Sequence, residues 1–467
     1  MLTYLDRVAF AAATPTIRAE LGLISEADLR LAITAFAVAY AIFEVPSGWW
    51  GDRYGPRLVL IRIVLWWSFF TVLTGLVGLT VGGMVLGGVG TLAVIRFLFG
   101  AGEAGAYPNI ARAMHNWFPA SERGMALGWV WMSSRIAGGL TPLIWMMLVA
   151  GTALTPALVS WRVAFGIFGF LGVVWCVIFA RRFRNTPAEH PEVNLAEQRL
   201  IAADRGPELV HTLEGSWRRA FFNRNLLALY GMYFAATYGW FFIISYLPSC
   251  LESGYGVEPT SVMGSLYKGA PLWVGAAGCL LGGYLTDRLL RRGWSRTWSR
   301  RAPGMVGLLL SAASYAVASV VPEAWMFAGA MASAAFFTDI MMGSAWAACQ
   351  DIGGRYTGVV AGCMNTAGSI GAATAAWFSG VVLDRALTAK AMDLGTTAED
   401  LAEVERTAAL LTGYQTNMLI FAVIVSLAAM LWLLIDAGKG IEDSVPPPVK
   451  DRESSPEKAS RRQIVDG

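Results

Sequence analysis

The sequence predicts an all-α membrane protein of twelve spans in two related groups of six. Three observations predict it. The 467-residue chain is 55% hydrophobic and only 15% charged, with a mean hydropathy of +0.51, whereas charged residues make up roughly 25% of soluble domains. Apolar runs of about 18 or more residues recur along nearly the whole length, and such runs read as bilayer-crossing helices. A short motif, Gly-x3-Asp-Arg, occurs twice at equivalent places 235 residues apart.

The apolar runs place the first six spans at 1–18, 29–50, 58–80, 85–113, 123–151 and 161–181. The first is short. Counting back from Thr14-Pro15 leaves barely half of the roughly 20 residues a span needs, so the first helix is expected to be N-terminally truncated. The polar stretch 182–224, opening "RFRNTPAEHPEVNLAEQRL", interrupts the apolar pattern with Pro, His and charges and reads as a linker. Six more runs follow at 225–248, 262–287, 303–320, 325–348, 357–384 and 412–436. The expected organisation is therefore an N-terminal six-helix bundle (1–181), a linker (182–224), a C-terminal bundle (225–436) and a tail (437–467). The tail contains "SVPPPVKDRESSPEKASRR", which cannot bury apolar surface and is expected to be disordered.

The repeat supports the division. Gly48-x3-Asp52-Arg53 closes the second span of the first group, and Gly283-x3-Asp287-Arg288 closes the second span of the other. Halves related this way suit a rocking machine with its site between them. Eight Lys/Arg fall in 181–224 and six in 288–301, against one in 152–162 and none between 63 and 95. By the positive-inside rule the linker and tail are cytoplasmic. Asp52, Arg53, Arg57, Asp287 and Arg288 then lie at cytoplasmic helix ends. There an acid can cap a neighbouring helix and arginines can pair across the bundles, forming a gate.

The stretch "GAGEAGAYPN" (100–109) has the Gly-x-Gly-x-x-Gly spacing of a dinucleotide loop. Such a loop must follow a strand and precede an acid about 20 residues on. Met125 and Ala126 stand there instead. The glycines and alanines read as small residues that let helices approach closely in lipid. Among them sit Arg96 and Glu103, each costing about 2.5 to 3.5 kcal/mol at mid-bilayer. Seven residues apart, they share a helix face to within about 20°. Asp6-Arg7 in the first span and Arg135 in the fifth join them near mid-depth, beside Tyr4 and Tyr40. Three arginines against two acids favour an anionic substrate, with Asp6 and Glu103 as proton carriers. That expectation requires Asp6, Arg96 and Glu103 to face a central opening, with Arg96 freed for the substrate when Glu103 is protonated. Glu44 adds a third acid, at the site or at the cytoplasmic exit. Asp339 in the tenth span reads as a packing residue among Ser/Thr neighbours. Aromatics of the seventh span (Tyr233, Tyr238, Trp240, Phe241, Tyr246) can stack on a substrate or lie at the lipid interface. Lys268 snorkels to the surface or attracts anions.

The residues also exclude. The five cysteines have no metal spacing, no signal peptide is visible, and no basic patch with interleaved aromatics points to nucleic acid. No cofactor is expected beyond protons as coupling ion, and each chain is expected to enclose its own path as a monomer.

"YLDRVAFAAATPTIRAELGL", "AYAIFEVPSGWWGDRYGPR", "RFLFGAGEAGAYPNIARAMHNWFPASERG" and "SAWAACQDIGGRYTGVVAGCMNTAGSIG" resemble the anion:cation symporters of the major facilitator superfamily across about residues 1–436. These include bacterial sugar-acid and phthalate permeases and animal sialic acid and vesicular glutamate carriers. The resemblance implies a twelve-helix major facilitator fold of two pseudosymmetric bundles and proton-driven import of a small organic anion across the inner (plasma) membrane. It implies Asp6 and Glu103 as the protonation pair, Arg7 and Arg96 on the carboxylate, and Tyr40 on substrate hydroxyls. Ser344, Trp346 and Asn365 would complete the site from the other half. Glu44 departs from the group, which more often has Gln there. A sugar acid (hexuronate, aldonate, glucarate) or an aromatic carboxylate fits. The alternative is a proton-coupled efflux antiporter, suggested by Gly138-Gly139-x-x-Pro142, although intramembrane arginines suit anions better than cationic drugs. A membrane sensor lacks an output domain, and a membrane enzyme lacks a metal cluster or nucleophile-base spacing.

Overall fold

The computed structural model describes residues 2–20, 26–81, 84–85, 87–151, 156–202, 223–258 and 261–441. The expected disorder of the tail beyond 441 falls outside them. Before the linker come α1 (Leu2–Glu20), α2 (Glu26–Tyr54), α3 (Pro56–Leu76), α4 (Val89–Glu103), α5 (Ala106–Trp117), α6 (Arg123–Trp145) and α7 (Trp161–Arg182). The linker holds α8 (Leu195–Ala202). After it come α9 (Arg224–Ser245), α10 (Val262–Arg291), α11 (Arg296–Ala318), α12 (Ala324–Gly353), α13 (Thr357–Leu394) and α14 (Glu403–Leu431). A two-residue pair, β1 (Thr80–Val81) and β2 (Met84–Val85), forms a small antiparallel turn between α3 and α4. With α4 and α5 as one broken rod, six rods stand on each side of the linker among the described residues. Eight helical stretches are long and apolar enough to cross a membrane by length and composition, one of them, Ala324–Leu394, containing both α12 and α13. The helices α1, α10 and α11 fall outside those eight.

Local sequence sets many of the ends. Ser160, Asn223, Ser261 and Ser295 each accept a hydrogen bond from the backbone N–H three residues on, which caps α7, α9, α10 and α11. Several helices outrun the apolar run that marks them. Thr357–Leu394 extends well past the expected 357–384, because a helix goes on satisfying its own backbone where its side chains reach water.

The expected single span 85–113 is broken. Pro108 has no N–H for the Ala104 carbonyl, and Gly105 adopts a left-handed φ of 84° between α4 and α5. A Cβ on Gly105 would lie 2.2 Å from the Ser47 Cβ. Gly100 and Gly102 pack tightly too: a Cβ on the first would sit 2.5 Å from the Phe36 carbonyl oxygen, and on the second 1.7 Å from the Trp66 ring. The Gly-x-Gly-x-x-Gly pattern is thus a packing surface ending in a kink, and it leaves Glu103 at the last turn of α4.

Two apolar cores result. One lies among α1 to α7; the other is centred on α9 to α14 and takes in Tyr107, Ala111, Leu127 and Trp131 from the first group. The groups meet where α2 crosses α13 and α6 crosses α10 and α12. Both main crossings are glycine on glycine. A Cβ on Gly48 would lie 2.2 Å from the Gly358 carbonyl oxygen, and on Gly283 2.5 Å from that of Gly124.

Replacing Gly105 by Ala combines a disfavoured φ with a clash, and the expected loss is about 1 to 3 kcal/mol. A thermal melt of the purified variant in detergent reads it as a lowered midpoint; an unchanged midpoint would contradict the tight contact with Ser47.

Candidate functional site

The helix N-termini of α6 and α13 have no side-chain cap of their own. Each is capped by a carboxylate from the other group. Asp52 on α2 accepts from the N–H groups of Gly358 (2.9 Å) and Val359 (2.8 Å), the second and third residues of α13. Asp287 on α10 accepts from Gly124 (3.0 Å) and Met125 (2.7 Å), the second and third residues of α6. The repeated glycine, four residues earlier, is what lets each crossing close enough for the carboxylate to reach. Around these caps, Arg112 lies 3.6 Å from Asp52 and donates to the Gly354 carbonyl, Arg123 pairs with Asp351 (2.7 Å), and Arg300 pairs with Asp351 (3.0 Å) while donating to the Ala120 carbonyl. The two groups are latched at the linker end.

The expected arginine partners are elsewhere. Arg53 lies over Trp49 and Tyr54, Arg57 donates to the Ala180 carbonyl, and Arg288 donates to Tyr284, all within their own helix group. They sit past the helix crossing, whereas Arg112, Arg123 and Arg300 emerge at it. The repeat identified the acids; the cross-group arginines have no repeated spacing that marks them.

Beyond the latch, between the groups, lies a cavity of about 190 Å³. Four helices supply its wall with regular spacings. Tyr4 and Arg7 come from α1, Trp131 and Arg135 from α6, Tyr233, Thr237, Trp240, Phe241 and Ile244 from α9, and Asn365, Gly368, Ser369 and Ala372 from α13, each set recurring at three to four residues as one helix face does. Tyr40, Tyr107 and Met342 complete it. The lining holds two guanidiniums and no carboxylate, with hydroxyls and one amide between. Larger clefts of about 690 and 540 Å³ at the linker end are lined mainly by apolar side chains and gather no comparable chemistry.

Each arginine of the cavity is held from behind. Arg7 Nε donates to Glu103 Oε1 (2.8 Å), and its guanidinium lies 4.5 Å from the Tyr40 ring centroid. Arg135 Nε and Nη2 donate to the two oxygens of Asp339 (2.8 and 2.7 Å), and Nη1 donates to the Tyr4 hydroxyl (3.3 Å). Asp339 is therefore not a Ser/Thr-bonded packing residue. It is fully buried on α12, and only a charge-paired partner makes that tolerable. Glu44 accepts from Asn365 and, at 3.3 Å, from Thr366, so it faces α13 across the group boundary.

The cluster expected to line the opening lies behind the wall. Asp6, Arg96 and Glu103 are buried inside the first group, and none of them lines the cavity. Arg96 is surrounded by rings, 4.6 Å from Phe99 one turn along its own helix and 4.0 and 4.9 Å from Phe10 of α1 and Phe36 of α2, the last two beyond the reach of periodicity along α4. Arg7 connects this cluster to the cavity. Each member keeps a buried polar atom without a partner: Asp6 Oδ1, Arg7 Nη2, Arg96 Nε and Glu103 Oε2.

From the other group, Asn365 lines the cavity. Trp346 lies beneath it, donating to the Tyr233 hydroxyl (3.3 Å) with its ring 5.4 Å from that of Trp131. Ser344 is away from the site, bonded to Thr286 (2.6 Å) in the packing of α10 on α12. Tyr238 packs on Phe421 and Tyr246 bonds the Ala376 carbonyl, both within the second group. Lys268 pairs with Glu252.

Known proteins resemble this chain in family and fold. The family model described as Major Facilitator Superfamily matches residues 1–376. The probable sulfoacetate transporter SauU of Cupriavidus necator is 32% identical over 78% of this chain and 80% of its own. The probable galactarate/D-glucarate transporter GudP of Bacillus subtilis is 30% identical over 82% of this chain and 83% of its own. The solved structure of the proton:xylose symporter XylE bound to 6-bromo-6-deoxy-D-glucose superposes with a TM-score of 0.70 at 14% identity, covering 95% of both chains, which is a likeness of fold.

Removing the two cross-group caps together, Asp52→Ala with Asp287→Ala, costs about 1 kcal/mol per cap at the latched end. A cysteine placed at the buried Ala120 should then react with a water-soluble maleimide roughly tenfold faster or more. Equal labelling with and without the caps would mean that the carboxylates do not hold that end shut.

Proposed function

The chain belongs to the major facilitator superfamily of membrane transporters, and on that premise we propose that it imports a small organic anion with protons by alternating access. It is a transporter, not an enzyme. The observation that carries the substrate class is the cavity between the groups: two guanidiniums and no carboxylate among tyrosines, Ser369, Thr237 and Asn365. A carboxylate meets charge-assisted donors there, and hydroxyls of a sugar acid meet the phenols and the amide. The names of the relatives, a sulfoacetate carrier and a galactarate/glucarate carrier, support the same class.

In this proposal the latched linker end is cytoplasmic, the protein sits in the inner membrane as a monomer, and the cavity opens to the far side. Along α9 its lining runs from Tyr233 to Ile244, about 16 Å toward that end. Charge balance supports proton coupling. Asp6, Glu44, Glu103 and Asp339 face Arg7, Arg96 and Arg135 in the apolar interior, four acids against three cations. An arriving anion makes the imbalance worse unless protons enter with it. Protonating Glu103 releases Arg7, rather than Arg96, toward the substrate. Asp6, with its unpartnered oxygen, is the second proton site. A monoanion with one proton moves no net charge; with two, the membrane potential contributes about 2.3 kcal/mol per 100 mV.

Proteoliposomes with an inward proton gradient should accumulate a labelled sugar acid or aromatic carboxylate, and a protonophore should abolish accumulation while leaving equilibration. Resistance to lipophilic cations without any anion uptake would favour the efflux alternative. Arg7→Gln should weaken substrate binding roughly 10- to 100-fold, the value of a charged hydrogen bond. Glu103→Gln should go on exchanging labelled for unlabelled substrate but fail to accumulate it; accumulation at the unsubstituted level would remove Glu103 from the coupling.

A further inference from the structure

The cavity presents its two guanidiniums in the same manner at different corners. Arg7 is fixed through Nε by Glu103, with the Tyr40 ring beneath it and its side chain 27% exposed. Arg135 is fixed through Nε and Nη2 by Asp339, leaving Nη1 with the Tyr4 hydroxyl alone at 3.3 Å, and the Trp240 ring lies 3.8 Å from its Cζ. Neither carboxylate stands on the cavity wall. Each acts from behind, setting the plane of a rigid fork so that its remaining edge is what a ligand meets. Tyr4 and Arg7 share one face of α1, about 4.5 Å apart along its axis. The corner of Arg7 with Tyr40 and the corner of Arg135 with Tyr4 are therefore neighbouring parts of one small chamber.

A ligand with one anionic group pairs one of these edges and leaves the other as an underused donor in an apolar surrounding, which binding then desolvates without return. A ligand with two pairs both. We propose that Arg135 is a second anion subsite and that the chamber selects a small organic dianion. One acidic group lies on Arg7 and Tyr40, the other on Arg135 and Tyr4. The middle of the molecule faces Tyr107, Tyr233 and Trp131. Asp339 is a positioning residue, orienting Arg135 from the opposite helix group without touching the ligand. This inference rests on the organic-anion function proposed above. A purely structural Arg135–Asp339 pair would tie α6 to α12 and confer no preference between singly and doubly charged ligands.

The test compares a six-carbon aldarate with the aldonate of the same configuration, which differ only in a terminal carboxylate against a hydroxymethyl group, by isothermal titration of the purified full chain near neutral pH. The aldarate should bind roughly 10- to 100-fold more tightly, the worth of one hydrogen bond to a charged group. In the double variant Arg135→Gln/Asp339→Asn, which leaves no unpaired buried charge, that ratio should fall to within about threefold. Tyr4→Phe, a smaller change that removes only a hydroxyl, should lower the ratio severalfold if the double variant does not fold. Equal binding of the two sugar acids by the unsubstituted protein overturns the dianion subsite and leaves the organic-anion function standing. A preference that survives both substitutions overturns the assignment to Arg135. Failure to bind either sugar acid or any aromatic carboxylate overturns both proposals together.

Discussion

Two helix ends without caps of their own organise this molecule. An α-helix starts with backbone N–H groups that nothing inside it can satisfy, and in an apolar fold water is a poor remedy. In α6 and α13 the second and third N–H groups are satisfied by Asp287 and Asp52 from the opposite helix group. Because each carboxylate is spent on backbone N–H groups of the other half, closing the linker end and completing the two helices are one event. The glycines four residues earlier in each motif are required for the same reason, since any side chain there would hold the carboxylate out of range.

The same demand for partners explains the interior charges. Arg135 and Asp339 are buried as a bidentate pair between the groups, and Arg7 is held by Glu103 at the boundary between the N-terminal cluster and the cavity. Pairing through Nε and a single edge is what allows a guanidinium to be neutralised from behind and still offer donors in front. The cavity wall is consequently cationic in chemistry while the surrounding helices are close to electrically balanced. Transport adds a further condition: contacts that hold one state must be weak enough to exchange. In the alternating access proposed above, the hydrogen bonds to backbone at the latch, set among the charge pairs of Asp351, are contacts that water can replace once that end opens.

Much of the architecture was legible in the residues. Hydropathy located both sets of rods, and the offset motif predicted related crossings, because length, apolarity and repetition are properties of sequence neighbours. Tyr4, Arg7, Tyr40, Arg135 and Asn365 were expected at the site and line the cavity. Arg96, Asp6 and Glu103 were expected there and lie behind it. Periodicity puts Arg96 and Glu103 on one face of α4, but nothing in a single helix says whether that face looks at a cavity or at Phe10 and Phe36 of its neighbours. Ser344 illustrates the same gap, since only the packing of α10 on α12 turns it toward Thr286.

By itself the sequence determined that this is an apolar, helical, two-part transporter with charges in its interior. Those conclusions follow from composition and from spacing along one chain, and the energetics of lipid leave few other solutions. The tertiary structure alone decided which charge meets which: Arg7 with Glu103, Arg135 with Asp339, and Arg123 and Arg300 with Asp351. Ion pairing falls off within a few ångströms and depends on helices distant in sequence, so it is settled only when the rods are set side by side.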